Sequence, residues 1–214
     1  MITKNHTAAL AVLLACGFAS PARAESPDYS FVDINYSRIM PDKTSLFDDG
    51  KGIAVNGSYS LPANFTVVSG LGYAKYDFQY APPGYDEIVT GYNVGFGYHF
   101  PITSNLDLTA EADYLGNHYK VETPAFGDSS SDSHGLQYGI GLRWMVMDSL
   151  ELHGFVDRSH TNGTNADSHG FKLGGIYDFV SFFGLGLTYE RSTSGSGIFS
   201  STTQGFTLFG RFQF

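Results

Sequence analysis

Cysteine is almost absent from this 214-residue sequence, the single copy being Cys16. No intrachain disulfide can therefore hold the fold. Basic residues are scarce, with 12 Lys and Arg against 21 Asp and Glu and a net charge of -9. That balance argues against a nucleic-acid partner, because phosphate recognition needs a basic face. Charged residues of both signs make up only 15%, too few for a disordered tail or a coiled coil. No run of about 18 apolar residues occurs, so no membrane-spanning helix is expected. What the chain has instead is glycine and aromatic side chains: Gly 26, Phe 18 and Tyr 14. Glycine costs about 1 kcal/mol inside a helix, so this mixture, at a mean hydropathy of -0.11, favours strands.

The first residues read as an export signal. Lys4 supplies the positive charge, Ala8 to Ala15 form a short apolar stretch, and Ala22-Arg23-Ala24 is a small-x-small cleavage pattern. Residues 1–24 are thus expected to be a signal peptide and residues 25–214 one barrel domain. Leu13-Leu14-Ala15-Cys16 offers an alternative, a lipoprotein box with lipid on Cys16. Cleavage after Ala24 removes that cysteine, together with two of the basic residues, Lys4 and Arg23, and none of the acidic ones.

From there the sequence alternates with period two. In Tyr92-Asn93-Val94-Gly95-Phe96-Gly97-Tyr98-His99-Phe100 one parity is aromatic and aliphatic, the other small or polar. This is the pattern of a strand with one apolar face. Ten such strands are predicted, over 28–38, 51–61, 65–76, 88–100, 106–116, 133–145, 150–159, 169–179, 183–192 and 203–214. Their links alternate in length. Pro62-Ala63-Asn64, Ile102-Thr103-Ser104, Val146-Met147-Asp148 and Val180-Ser181-Phe182 mark tight turns, whereas the links at 40–49, 77–87, 117–132, 161–167 and 193–201 are longer and polar. Short turns at one end and long loops at the other describe an antiparallel, up-and-down transmembrane β-barrel of the outer-membrane type. An even strand number puts both termini on the short-turn, periplasmic side. Gly135, Gly170 and Gly205 recur at one interval in a weak hairpin repeat.

The faces can be assigned from chemistry. Leu136, Tyr138, Ile140, Leu142 and Trp144 share a parity with no charge, as do Phe206, Leu208, Phe212 and Phe214. These faces suit lipid, with aromatics toward the strand ends. The closing strand, ending on Phe212-Gln213-Phe214, looks like the C-terminal signal read by the outer-membrane barrel assembly machinery. The opposite parity carries the strand charges. Buried charges need partners, so a lumen network is expected among Arg143, Glu151, Asp107, His99, Glu111, Lys172 and Arg211. Tight turns place Arg143 opposite Glu151 and His99 opposite Asp107 in the simplest register. Phe31, Met145, Phe155, Ile176 and Phe209 also point inward and are expected to pack over inward glycines, leaving at most a narrow path.

Catalytic signals are weak. His118, His134, His160 and His169 fall near the outer rim, with Asp132, Asp157 and Asp167 close in sequence. Rim acid–base chemistry of the omptin-protease or lipid A deacylase kind is the enzyme alternative, but no nucleophile–base–orienter set is fixed by spacing. The expectation is no catalytic, metal or cofactor site.

The stretches Gly52-Ile53-Ala54-Val55-Asn56-Gly57-Ser58, Leu61-Pro62-Ala63-Asn64-Phe65, Gly91-Tyr92-Asn93-Val94-Gly95-Phe96-Gly97-Tyr98, Asn105-Leu106-Asp107-Leu108 and Phe209-Gly210-Arg211-Phe212 carry a family resemblance. The chain resembles the small outer-membrane β-barrels whose best-known member is the diffusible-signal-factor-regulated protein of xanthomonads, and more distantly the OmpA/OmpX-type barrels. The resemblance implies an outer-membrane location and a porin-like or surface role, and it supplies no catalytic residue. The expected function is that of a non-enzymatic structural surface protein or narrow passive pore, with a loop-mediated adhesin as a further alternative. Expected partners are outer-membrane lipid and lipopolysaccharide, and the assembly machinery during biogenesis, for a monomeric protein.

Overall fold

The computed structural model describes residues 26–42, 47–78, 85–123, 127–162, 166–195 and 201–214. The signal-peptide expectation for 1–24, Cys16 included, lies outside these residues. Ten strands form one closed antiparallel barrel: β1 (Phe31–Pro41), β2 (Phe47–Ser60), β3 (Phe65–Phe78), β4 (Asp86–Thr103), β5 (Leu106–Glu122), β6 (Ser129–Met147), β7 (Leu150–Asn162), β8 (Ala166–Val180), β9 (Phe183–Ser194) and β10 (Ser201–Gln213). Each strand pairs with its sequence neighbours, and β1 closes the circle against β10 from Phe31↔Gln213 to Pro41↔Thr203. Closure leaves no free edge, which is what lets strands cross a bilayer.

Fold class and strand number agree with the sequence reading, but several boundaries do not. β5 runs to Glu122 rather than 116, and β6 starts at Ser129 rather than 133. Beyond the membrane the outward side chains turn polar, so the hydrophobic alternation stops while the backbone ladder continues. β6 has 19 residues. At about 3.3 Å per residue and roughly 40° of tilt it stands roughly 45–50 Å tall, against an apolar band of about 25 Å. The long-link end therefore rises well clear of the bilayer. At the other end, β1 begins at Phe31, not 28, and Ser26 to Ser30 lie outside the ladder.

Three of the short turns share a device. Pairing β6 to β7 at Met147↔Leu150 sets an inward parity against an outward one. One bulge residue then restores the match, so that Met145 faces Glu151. The same shift occurs between Pro101 and Thr103 in β4 and between Asp178 and Val180 in β8. A bulge lets a tight turn coexist with a conserved in–out pattern. The fourth short link is a single 3₁₀ turn, Pro62–Asn64, in which Ala63 and Asn64 take positive φ of 60° and 64°.

The distribution of apolar side chains inverts that of a water-soluble domain. Ile53, Leu71, Phe96, Leu136 and Ile140 are exposed on the outer wall, while the buried hydrophobics are Tyr29, Met145, Ile176 and Phe209. Glycines and Pro27 aside, the other buried residues among those described are polar or charged, Asp107, Glu151, Arg143 and Arg211 included. Such a surface is stable only against lipid.

Candidate functional site

The interior is built unequally around its circumference. On β2 to β4 the inward positions include Ala54, Gly70, Gly72, Gly91, Gly95 and Gly97, and the wall is thin. Opposite, Phe155 covers Gly139 and Gly141, and Phe209 covers Gly186, each ring occupying the space a Cβ would need. A cavity of about 530 Å³ remains against the thin wall, bordered by Asn56, Asn93, Glu111, Asp113, Lys172 and Thr188.

At the short-turn end the lumen is filled by ion pairs. Arg143 donates a fork to Glu151, Nε to Oε1 at 2.8 Å and Nη2 to Oε2 at 2.7 Å. Arg211 donates a second fork to Asp33, both bonds 2.8 Å. The two pairs touch, since Arg211 Nη1 lies 3.9 Å from Glu151 Oε2. Bidentate, charge-assisted bonds are the strong class of ion pair, and here they are needed, because a lone charge in this position would be desolvated. Phe31 lies between the guanidinium groups, with its centroid 3.6 Å from Arg211 Cζ and 5.7 Å from Arg143 Cζ.

The chain's own leading segment closes this cluster. Tyr29 is buried, and its ring lies 4.3 Å beneath Arg143 Cζ and stacks on His99 at 4.0 Å between centroids. Its hydroxyl donates to Asp107 Oδ2 at 2.9 Å, and Ser26 Oγ donates to the same oxygen at 3.3 Å. His99 Nδ1 is also 3.3 Å from that oxygen. Asp107 is 0% exposed, so a carboxylate near the membrane edge has been sealed by residues that precede the first strand.

Five of the seven predicted network residues thus come together: Arg143, Glu151, Asp107, His99 and Arg211. Glu111 and Lys172 do not join them. They sit further up the lumen, beside the cavity, and neither makes an ion pair within 4.0 Å among the described residues. The expected cross-strand partners also change. Arg143 stands opposite His153 and Asp107, not Glu151, and His99 stands opposite Thr109, not Asp107. Each turn sits one residue further along than that register assumes, at 148–149 and 104–105 with one bulge residue before it, so each partner moves by two. Parity survives that shift, and a long guanidinium reaches Glu151 on the diagonal. Tyr29 and Asp33 were missed. Asp33 was legible, because it alternates with Phe31 and Asn35 on an inward parity. Tyr29 shares that parity, but its place under Arg143 depends on residues 26–30 leaving the ladder, which a strand drawn from residue 28 does not show.

The rim histidines lie on the outer wall above the apolar band. His118 Nδ1 is 2.7 Å from Asp132 Oδ1, and His160 Nδ1 is 2.7 Å from Asp167 Oδ1, with Arg158 bonded to the same Asp167 at 2.8 Å. Side chains in these pairs are 50–79% exposed, so they are wet, surface-type pairs rather than a desolvated acid–base site. Asp157 instead points inward and accepts from Gln137 at 2.9 Å. Among the described residues no group of three or more His, Cys, Asp or Glu could hold a metal ion. At the C-terminus, Phe212 packs on Phe183 at 5.1 Å, and Phe214 stacks on Tyr59 at 6.5 Å while its N–H donates to Ser30 O.

The family described as Outer membrane protein beta-barrel domain matches residues 8–190. No curated protein matches the chain. Among solved structures, the attachment invasion locus protein Ail of Yersinia pestis is 14% identical, over 88% of this chain and 99% of its own, with a TM-score of 0.45. Neisserial surface protein A is 17% identical over 87% and 96%, with a TM-score of 0.43. The N-terminal β-barrel domain of Pseudomonas aeruginosa OprF is 12% identical over 87% and 100%, with a TM-score of 0.40. At identities this low the likeness extends to the fold alone.

Proposed function

The chain belongs to the outer membrane protein β-barrel domain family, and on that footing we propose that it is a non-enzymatic surface barrel whose lumen is closed toward the periplasm. The observation that carries this reading is the seal of Tyr29 over the Arg143–Glu151 and Arg211–Asp33 forks. The cavity above it is then a blind vestibule on the long-link side of the seal, not a through-pore. In this reading the export signal is cut after Ala24, which frees the short lead of residues from Glu25 to enter the mouth. Phe212 and Phe214 present the assembly signal, and the mature monomer has lipid and lipopolysaccharide as its standing partners. The finer kinship with the diffusible-signal-factor-regulated barrels of xanthomonads, with their porin-like or surface role, fits the same picture through the strands that rise above the membrane.

The test is conductance of the purified mature protein in a planar bilayer. A closed barrel gives no sustained open-channel current. Steady, cation-selective current from the wild type refutes the closed reading and favours the narrow pore.

A further inference from the structure

On the outer wall four cations stand on one cross-strand line. Arg38, Lys51 and Lys75 are direct cross-strand partners on β1, β2 and β3, and the ladder continues through Ile88 to Lys120 on β5. Neighbouring strands lie about 4.8 Å apart, and like charges facing each other across them repel. Carboxylates relieve part of this. Asp49 pairs with Arg38 at 2.6 Å, Asp86 with Lys75 at 2.7 Å and Glu122 with Lys120 at 2.7 Å. Lys51, in the middle of the triplet, has no carboxylate partner among the described residues. The relieving acids also share a side. Asp49 precedes Lys51 toward its strand tip, Asp86 precedes Ile88, and Glu122 follows Lys120. The membrane-facing side of the row is therefore free of negative charge.

Directly below that side is an apolar groove. The next outward row is Tyr36, Ile53 and Tyr73, and the one after it Ile34, Val55 and Leu71. These six residues line a concavity of about 610 Å³ that continues to Leu185 and Leu208. Gly210 opens it, because it lies between Ile34 and Leu185 and contributes no side chain. A Cβ there would meet only ring and methyl carbons, the nearest at 3.3 Å.

A cation row open only toward the membrane, above a groove shaped for hydrocarbon, calls for an amphiphile with a negatively charged head. We propose that this wall is a binding site for a phosphorylated acyl lipid of the outer leaflet, with phosphoryl oxygens on Arg38, Lys51 and Lys75 and one acyl chain in the groove at Gly210. The phosphate supplies the anion that Lys51 lacks, and the chain replaces loosely packed lipid against Ile53 and Leu71. The site deepens the lipid partnership proposed above and rests on the long-link end facing outward. It shares no residue with the periplasmic seal.

The full mature protein in a phosphate-free maltoside micelle is titrated with bis-phosphorylated lipid A, the same lipid without phosphates, and inorganic pyrophosphate. Bound lipid is counted by native mass spectrometry and the unfolding temperature is followed. The phosphorylated lipid should bind and raise the unfolding temperature, and the other two probes should do neither. At about 1 kcal/mol per interfacial cation, Lys51→Gln should weaken binding about fivefold, and the Arg38→Gln, Lys51→Gln, Lys75→Gln triple variant about a hundredfold. Arg158→Gln, on the far wall, should bind as the wild type does. Gly210→Leu should weaken lipid binding with the cations intact. Equal binding of the dephosphorylated lipid overturns the proposal, as does an unaltered triple variant. So does an equal shift from pyrophosphate, which would mean a free-anion site. A concentration-dependent dimer lost in Gly210→Leu also overturns it, since the groove would then hold a second copy of the chain. Binding in micelles does not depend on orientation, so a wrong orientation would show in cell-surface labelling while these results stood.

Discussion

Removing Arg143 tests the closed end most directly. Its guanidinium makes two bonds to Glu151, at 2.8 and 2.7 Å, and covers Tyr29. Glu151 is only 3% exposed. Breaking a buried pair by deleting one partner costs about 3–5 kcal/mol, because the other charge is left uncompensated. Here Arg211 Nη1, 3.9 Å from Glu151 Oε2, remains as a weaker cation, so the lower end, about 3 kcal/mol, is expected for Arg143→Ala. For a chain of this size each kcal/mol moves the unfolding temperature by about 2–4 °C, so the loss should be about 6–12 °C. A double variant, Arg143→Met with Glu151→Leu, removes both charges and keeps the volume. It should recover most of the loss, since replacing a buried ion pair by apolar side chains is often neutral. The assay is the heat-modifiable mobility shift of the folded barrel, followed with temperature in neutral detergent. If Arg143→Ala melts with the wild type, water already screens Glu151 and the end is not sealed. If the double variant melts lower than the single one, the cost comes from lost packing rather than a stranded carboxylate.

Tyr29→Ala removes the ring stacked on His99 and the hydroxyl bonded to Asp107; the barrel should still fold, and intermittent bilayer currents should appear that the wild type lacks. Identical recordings from the two would show that Tyr29 is not the stopper. Ile140→Arg puts a charge on the lipid face of β6 and should cost about 2–4 kcal/mol if it lies near the midplane, whereas Gln137→Arg turns inward beside Asp157 and should cost less; the reverse order in denaturant titrations would mean the faces are swapped. A cysteine at Ser130 should react with an impermeant maleimide on intact cells, and one at Asp148, in a short turn, should not. Labelling only at Asp148 would invert the barrel.

The sealed end follows from the same features that make the barrel. Two-residue turns keep strand ends close together, so side chains from β1, β5, β6, β7 and β10 converge just inside that mouth. The start of β1 and the end of β10 are there too, and the lead ahead of β1 needs only five residues, Ser26 to Ser30, to bring Tyr29 under Arg143. Among the described residues nothing comparable closes the far end, where strands as long as β6 rise above the membrane.

How much of this was legible depends on which physical signal each feature leaves. The in–out pattern was plain, because lipid demands an uncharged face over about ten residues in every strand, and Leu136 to Trp144 or Phe206 to Phe214 satisfy that demand by parity alone. Strand ends beyond the bilayer were blurred because Ser129, Ser130 and Ser131, all exposed, have no partner medium that forces a choice of face. Register was misread because Arg143 opposite Glu151 centres the turn on Met147, whereas it lies at Asp148-Ser149 with one bulge residue before it. Pairing across a two-residue turn at Met147↔Leu150 would put the Glu151 side of β7 on lipid, at the cost of a charge in hydrocarbon. The chain escapes through a bulge at Val146, which moves the pairing to Met145↔Glu151 and keeps every charge inside. A bulge has no sequence signature beyond the parity conflict it resolves. The conflict was present in the sequence on both flanks of the turn: Arg143 and Met145 are inward on odd numbers, Glu151 and His153 are inward on odd numbers, and an even–odd pairing cannot satisfy both. Parity on two adjacent strands, taken together with the turn length between them, therefore predicts the bulge. The same reasoning applies at Pro101 to Thr103 and at Asp178 to Val180, where the structure has one as well.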